Sequence, residues 1–145
     1  MLRLSKLADY GSQVMAYMAR DNTVHSANEV AAGTGIAVPT VSKILKMLAR
    51  GSLLVSVRGA KGGYALSRSP CEISVAEIID AMDGPISITE CSTSTCQQES
   101  ICSTRSNWQG INRLIREALE KVSLAEMIEP KPQVVNLIRH DGIFA

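Results

Sequence analysis

Between Ser26 and Leu66 the chain leaves little freedom of fold: two short helix patterns meet at a glycine turn, and two strand patterns meet at another. Ser26-Ala27-Asn28-Glu29 is a capping box, in which the serine hydroxyl accepts from the Glu29 amide and the carboxylate accepts from the Ser26 amide. It predicts a helix over 27–34, after which Gly33-Thr34-Gly35 forces a turn. A second helix opens at Val38 or Pro39, where proline loses no needed donor, and runs to Arg50, with Gly51 stopping it. Val41, Ile44, Leu45 and Leu48 form its stripe for burial, and Thr40, Ser42, Lys43, Lys46 and Arg50 its outer face. This is the helix-turn-helix pattern. Leu53 to Val57 and Tyr64 to Leu66 then read as strands around a glycine-rich turn, a wing with Arg58 and Lys61 at its tip. The expected fold is mostly α with a small β-hairpin wing, a winged helix-turn-helix over residues 1–70.

Charge follows the same segment. The net charge is only +1, yet from Val30 to Cys71 there is no acidic residue and six basic ones, leaving nine basic against all fourteen acidic residues elsewhere. Such polarity is the footprint of a docked polyanion, the plain alternative being a solvated basic face. Aromatic residues make up 3% of the chain, too few for base stacking on single strands to be the main activity, so the partner implied is double-stranded DNA. Thr40, Ser42, Lys43 and Lys46 are the expected major-groove contacts, Lys43 suiting guanine and the hydroxyls several base edges. Lys46, Arg50 and Lys61 suit phosphates. Arg58, on a narrow tip, suits the minor groove.

The flanking patterns are helical. Leu7 to Arg20 is amphipathic through Leu7, Val14, Met15, Met18 and Ala19, and Asp21-Asn22 closes it. Ser74-Val75-Ala76-Glu77 is a second capping box, opening a helix to about Asp83 within a connecting segment, 71–85. Residues 86–104 form a Ser/Thr/Cys-rich loop without periodicity, a length that is usually functional. Over 105–122, Trp108, Ile111, Ile115, Ala118 and Val122 recur at alternating steps of three and four, with Leu114 and Leu119 beside them. That is close to a coiled-coil seam and predicts a dimerisation helix pairing with a second copy, packing on its own domain being the alternative. Residues 123–145 hold a short helix capped by Ser123 and Glu126, then a tail opened by Pro130 and Pro132 and expected to be loosely ordered. No stretch approaches the ~18 apolar residues of a membrane span, and the first twenty residues lack a signal-peptide core. The chain reads as cytoplasmic, with no membrane partner.

Four cysteines in such a chain argue for metal or redox chemistry over a disulfide scaffold. Three follow the spacing Cys91-x4-Cys96-x5-Cys102. Structural zinc sites favour two short pairs, which this spacing matches poorly; iron–sulfur clusters take thiolates from longer spacings and accept a non-cysteine fourth ligand. Cys71, beside Pro70, reads as a small buried residue. His25 and His140 read as solvated, and no phosphate-binding glycine loop occurs, so no enzyme activity is expected.

The opening Met1-Leu2-Arg3-Leu4-Ser5-Lys6, the run Val55-Ser56-Val57-Arg58-Gly59-Ala60-Lys61-Gly62-Gly63-Tyr64, and the cysteine triplet followed by Trp108 together resemble the Rrf-two-type regulators, over nearly the whole chain. That family includes the Isc and Suf cluster-assembly regulators and the nitric-oxide-sensing repressors, and the opening looks most like the Suf subgroup. The resemblance implies a homodimeric winged-helix repressor with one cluster per subunit, 2Fe–2S or 4Fe–4S, acting on a pseudo-palindromic operator of cluster-assembly genes. Two departures bear on the ligands. The first cysteine gap has four residues where Isc-type regulators have five, and Arg105 stands where they place a histidine ligand. Arginine offers no lone pair. In the nitric-oxide-sensing branch an aspartate of the first helix, from the partner subunit, completes the site, and Asp9 matches that position. Glu90, Glu99 or a small exogenous ligand are the other choices. The Isc-type recognition helix differs at Thr40, Ser42 and Lys43, which implies a different operator. Competing readings are an iron–sulfur carrier or electron-transfer protein, and a zinc- or thiol-redox-sensing repressor on the same fold.

Overall fold

The computed structural model describes residues 3–92, 96–98 and 100–129. The expected tail with Pro130, Pro132 and His140 lies outside them, as do Met1, Leu2 and Glu99. Helix α1 spans Lys6–Met18, α2 Ala27–Thr34 and α3 Val38–Arg50. Strands β1 (Leu54–Val57) and β2 (Gly63–Leu66) form an antiparallel hairpin in which Leu54 faces Leu66 and Val57 faces Gly63. Then come a 3-10 turn at Pro70–Glu72, α4 (Val75–Asp83), a second 3-10 turn at Glu90–Ser92, α5 (Arg105–Glu120) and α6 (Leu124–Ile128).

Local chemistry sets these boundaries. Ser26, Ser74 and Ser123 each sit in extended backbone, accept from the amide three residues on, and have their own amide bonded by that residue's glutamate. Helix α2 ends at Gly35, whose φ of 74° places it in the left-handed region and swings the chain into α3. At the end of α3 the outcome differs from expectation. Gly51 is the C-cap but keeps a φ of −77°, and the left-handed residue is Ser52, with φ 61°. Helix α5 stops at Glu120, short of Val122, because Ser123 must be extended to cap α6 and the Val122 carbonyl accepts from the Val75 amide.

One core unites α1 to α4 and α6. Val14, Met15 and Met18 of α1 meet Ile44, Leu45 and Leu48 of α3, with Ile73, Ile78 and Leu124 closing the far side. On α1 the buried stripe also takes in Ala8 and Gly11, because α4 lies against that side. Two solitary bridges extend the framework: His25 pairs with Tyr64, adding a third strand segment to the wing, and Ser74 pairs with Ser123.

Two readings of single residues are corrected. Cys71 is exposed, because it falls in the middle of the Pro70–Glu72 turn, which buries no residue. His25 is buried, not solvated: the bridge to Tyr64 draws it inward, and its ring meets Tyr17 edge-on at 5.2 Å.

Candidate nucleic-acid interface and cysteine centre

Helix α3 is strongly two-faced. Val41, Ile44, Leu45 and Leu48 are fully buried, which turns the opposite side to solvent. There Lys43, Lys46 and Arg50 are exposed, Thr40 and Ser42 half-buried, and Pro39, Ser42, Lys43, Lys46, Met47 and Arg50 line one open groove. Arg58 and Lys61 are exposed at the hairpin tip, where the Gly62 amide donates to the Gly59 carbonyl at 2.9 Å. Among the described residues none of these five cations is engaged in an ion pair, whereas Arg68 and Arg116 are paired with carboxylates. Unpaired cations along one helix face and one hairpin tip retain their full charge for a polyanion.

The wing is fastened to the helices through His25. Its amide donates to the Tyr64 carbonyl at 2.9 Å and its carbonyl accepts from the Tyr64 amide at 2.8 Å. Its ring lies between two carboxylates, Nε2 at 2.7 Å from Asp21 and Nδ1 at 3.3 Å from Glu29. The Thr23 hydroxyl and then the His25 ring hold the Asp21 carboxyl below its ordinary range.

The three cysteines lie on the segment joining α4 to α5. Cys91 is in the Glu90–Ser92 turn, and its carbonyl accepts from Gln109 Nε2 at 3.3 Å. Cys102 stands just before the α5 N-terminus, its Sγ 3.4 Å from the Thr104 hydroxyl. That hydroxyl, with the Thr104 and Arg105 amides and the Arg105 charge, holds the thiol below its usual range, as helix N-termini and cations do. All three cysteines are partly exposed. Among the described residues no three His, Cys, Asp or Glu side chains converge on one point. The donor set itself fits an iron–sulfur guest: three soft sulfurs on one segment. Asp9 is exposed in the first turn of α1, accepting from Gln13 Nε2 at 3.4 Å, and Glu90 is exposed. Arg105 is half-buried.

Helix α5 buries only one residue, Asn112. Of its expected seam, Trp108 is 38% and Ile111 39% exposed, while Ile115, Ala118 and Val122 are half-buried. The chain therefore leaves the first half of that stripe uncovered. Sequence reasoning missed Gln109, Asn112 and Arg116, which follow at steps of three and four. The signal was present as a polar row beside the apolar one.

A sequence profile described as "Rrf2: Iron-dependent Transcriptional regulator" matches residues 4–130. A protein of Azotobacter vinelandii named as the HTH-type transcriptional regulator ORF2 is 33% identical over 141 residues, 95% of this chain and 85% of that one. The HTH-type transcriptional regulator IscR of Pectobacterium atrosepticum is 31% identical over 104 residues, 71% of this chain, and the match spans 63% of that relative's length. Among solved structures, CymR, the global cysteine regulator of B. subtilis, superposes with a TM-score of 0.70 at 26% identity, over 88% of this chain and 97% of that one.

Proposed function

The chain belongs to the Rrf2 family of iron-dependent transcriptional regulators, and from that membership we propose that it is an iron–sulfur-sensing repressor whose cluster state alters operator affinity. It is a DNA-binding regulator with a winged-helix reading head, not an enzyme. The finer reading adds a homodimer paired through α5, a pseudo-palindromic operator, cluster-assembly genes as targets, and a cytoplasmic site of action.

The observation that carries the reading is positional. The only segment with clustered thiols joins α4, packed on the reading head, to α5, whose apolar stripe is partly uncovered. Cys91, Cys96 and Cys102 are the proposed ligands, with Asp9 of a partner subunit as the proposed fourth. When bound, the cluster would cross-link the three sulfurs and offer one oxidant-labile position. On the DNA side, Ser42, Thr40 and Lys43 read bases, Lys46, Arg50 and Lys61 neutralise phosphates, and Arg58 enters the minor groove. Ordering the cysteine segment would fix the separation of two α3 helices, which must match half-sites about one helical turn apart.

Iron and sulfide analysis with visible spectra on anaerobically purified protein tests this. Wild type should carry both elements and Cys96→Ala little of either; equal loading of the two removes the cysteines from the site. Loaded and stripped forms should differ about 5–150-fold in operator affinity. A second reading is supported by the depressed Cys102 thiol and the likeness to CymR: a repressor that senses thiol oxidation directly. Protein free of iron as purified, yet losing operator binding on peroxide treatment, would favour that reading.

A further inference from the structure

Helix α5 turns Trp108 and Ile111 outward, and along another side it carries three polar residues, two bonded to the segment leading into Cys91 and one to α4. Asn112 Oδ1 accepts from the Ile88 amide at 2.8 Å, and its Nδ2 donates to the Thr89 hydroxyl at 3.0 Å. Gln109 donates to the Cys91 carbonyl at 3.3 Å. One turn further on, Arg116 forks onto both oxygens of Asp80, at 3.2 and 2.9 Å. Asp80 Oδ1 also accepts from the Ile86 amide at 3.3 Å. The backbone leading into Cys91 is thus held by side chains at residues 86, 88 and 91, and the Thr89 hydroxyl is bonded as well.

Asn112 is the centre of this grip. It is 4% exposed, so its amide has little access to water and is held by protein groups instead. The Ile88 N–H can only donate, which fixes Oδ1 towards it and Nδ2 towards Thr89. Position 88 cannot slide along α5 without breaking both bonds. The segment is therefore pinned in this register on α5 two and three residues before Cys91.

The far end of the grip reaches the reading head. Asp80 lies on α4, and one residue on, Ala81 stands so close to Gly51 that a Cβ there would lie 2.9 Å from the Ala81 methyl. Gly51 is the C-cap of α3. Only a missing side chain lets the recognition helix end directly against α4, and in that packing α4 cannot shift without moving α3.

We propose that Asn112 is a positioning residue that registers the cysteine segment on α5 and, through Asp80 and α4, on the end of α3. This rests on the reading above, in which the state of the cysteines sets operator affinity.

The test compares wild type, Asn112→Ala and Gln109→Ala, each stripped of metal and each reconstituted anaerobically with iron and sulfide. The duplex is one enriched from a random pool by loaded wild type. In the stripped form Asn112→Ala should exchange the Ile88 amide at least tenfold faster and raise the alkylation rate of Cys91 by iodoacetamide. Its ratio of loaded to stripped affinity should collapse towards one, while binding of the stripped form changes less than threefold. Gln109→Ala, at a partly exposed position, should lower the same ratio partway and keeps the test valid if Asn112→Ala does not fold. Unchanged Ile88 exchange in Asn112→Ala overturns the grip, and an unchanged affinity ratio in both variants overturns the coupling. If wild type itself shows a ratio of one, the sensing reading fails first and takes the coupling with it.

Discussion

At Glu77 a single carboxylate holds three parts of the chain together. It accepts from the Ser74 amide at 2.9 Å, pairs with Arg68 at 2.8 Å, and sits in the first turn of α4, where the helix dipole favours negative charge. Burial pushes the carboxyl up, but the Ser74 amide and the Arg68 guanidinium outweigh it and leave it below the ordinary glutamate range. A carboxyl depressed on folding contributes stability that is present above its unfolded value and lost as pH falls through the folded one. Glu77→Gln keeps an acceptor for the Ser74 amide but loses the charge, so it should cost up to about 1 kcal/mol at pH 7, the size of a partly solvated ion pair. At a pH low enough to protonate the folded carboxyl, the cost should shrink towards zero. Urea unfolding at both pH values checks it, and the same cost at each would contradict the linkage.

The reading elements divide their labour by charge and shape. Lys46, on the exposed side of α3, is a phosphate contact in the proposed complex, so Lys46→Ala should lower the salt dependence of operator binding by about one unit of slope with little effect on sequence preference. Arg58 is at a hairpin tip, and Arg58→Ala should weaken the operator about tenfold or more and relax selectivity for a narrow minor groove. Titrations over a salt series, on matched and scrambled duplexes, separate the two; identical behaviour of both variants would refute the division. Elements governed by neighbours a few residues away were legible in the sequence. The Ser26, Ser74 and Ser123 caps, the Gly35 turn and the α3 stripe all emerged where local spacing put them. What stayed hidden depends on distant partners. Gly51 reads as a helix stop, yet its small size matters because Ala81 presses on it, and the strained φ passes to Ser52. His25 reads as solvated until Tyr64, 39 positions later in the chain, folds back to bridge it. Asn112 is passed over, because its role emerges only where the segment before Cys91, more than twenty positions away, closes over it. The cysteine triplet was visible as a motif, but nothing in its spacing announces which helix holds the segment.

For the molecule as a whole, the organisation is a compact head of α1 to α4 with the wing, to which α5 is attached mainly along α4. The outward stripe of α5 is the proposed seam with a second copy. Ile111→Glu puts a charge at its exposed centre while leaving the chain's own core untouched, so it should fold normally and sediment at the 15.6 kDa of one chain, with wild type at twice that mass. Wild type already at the single mass would remove the seam. Operator binding should fall steeply with dimer loss, since one head reads only a half-site. The chain also has just one tryptophan, Trp108, and it stands on this same face, six residues past Cys102. Its indole is consequently an unlabelled optical gauge: emission shifts to shorter wavelength where the ring leaves water, and any visible chromophore held at the nearby sulfurs dims it. A single fluorimeter trace can thus follow assembly and cofactor occupancy together, without altering the molecule.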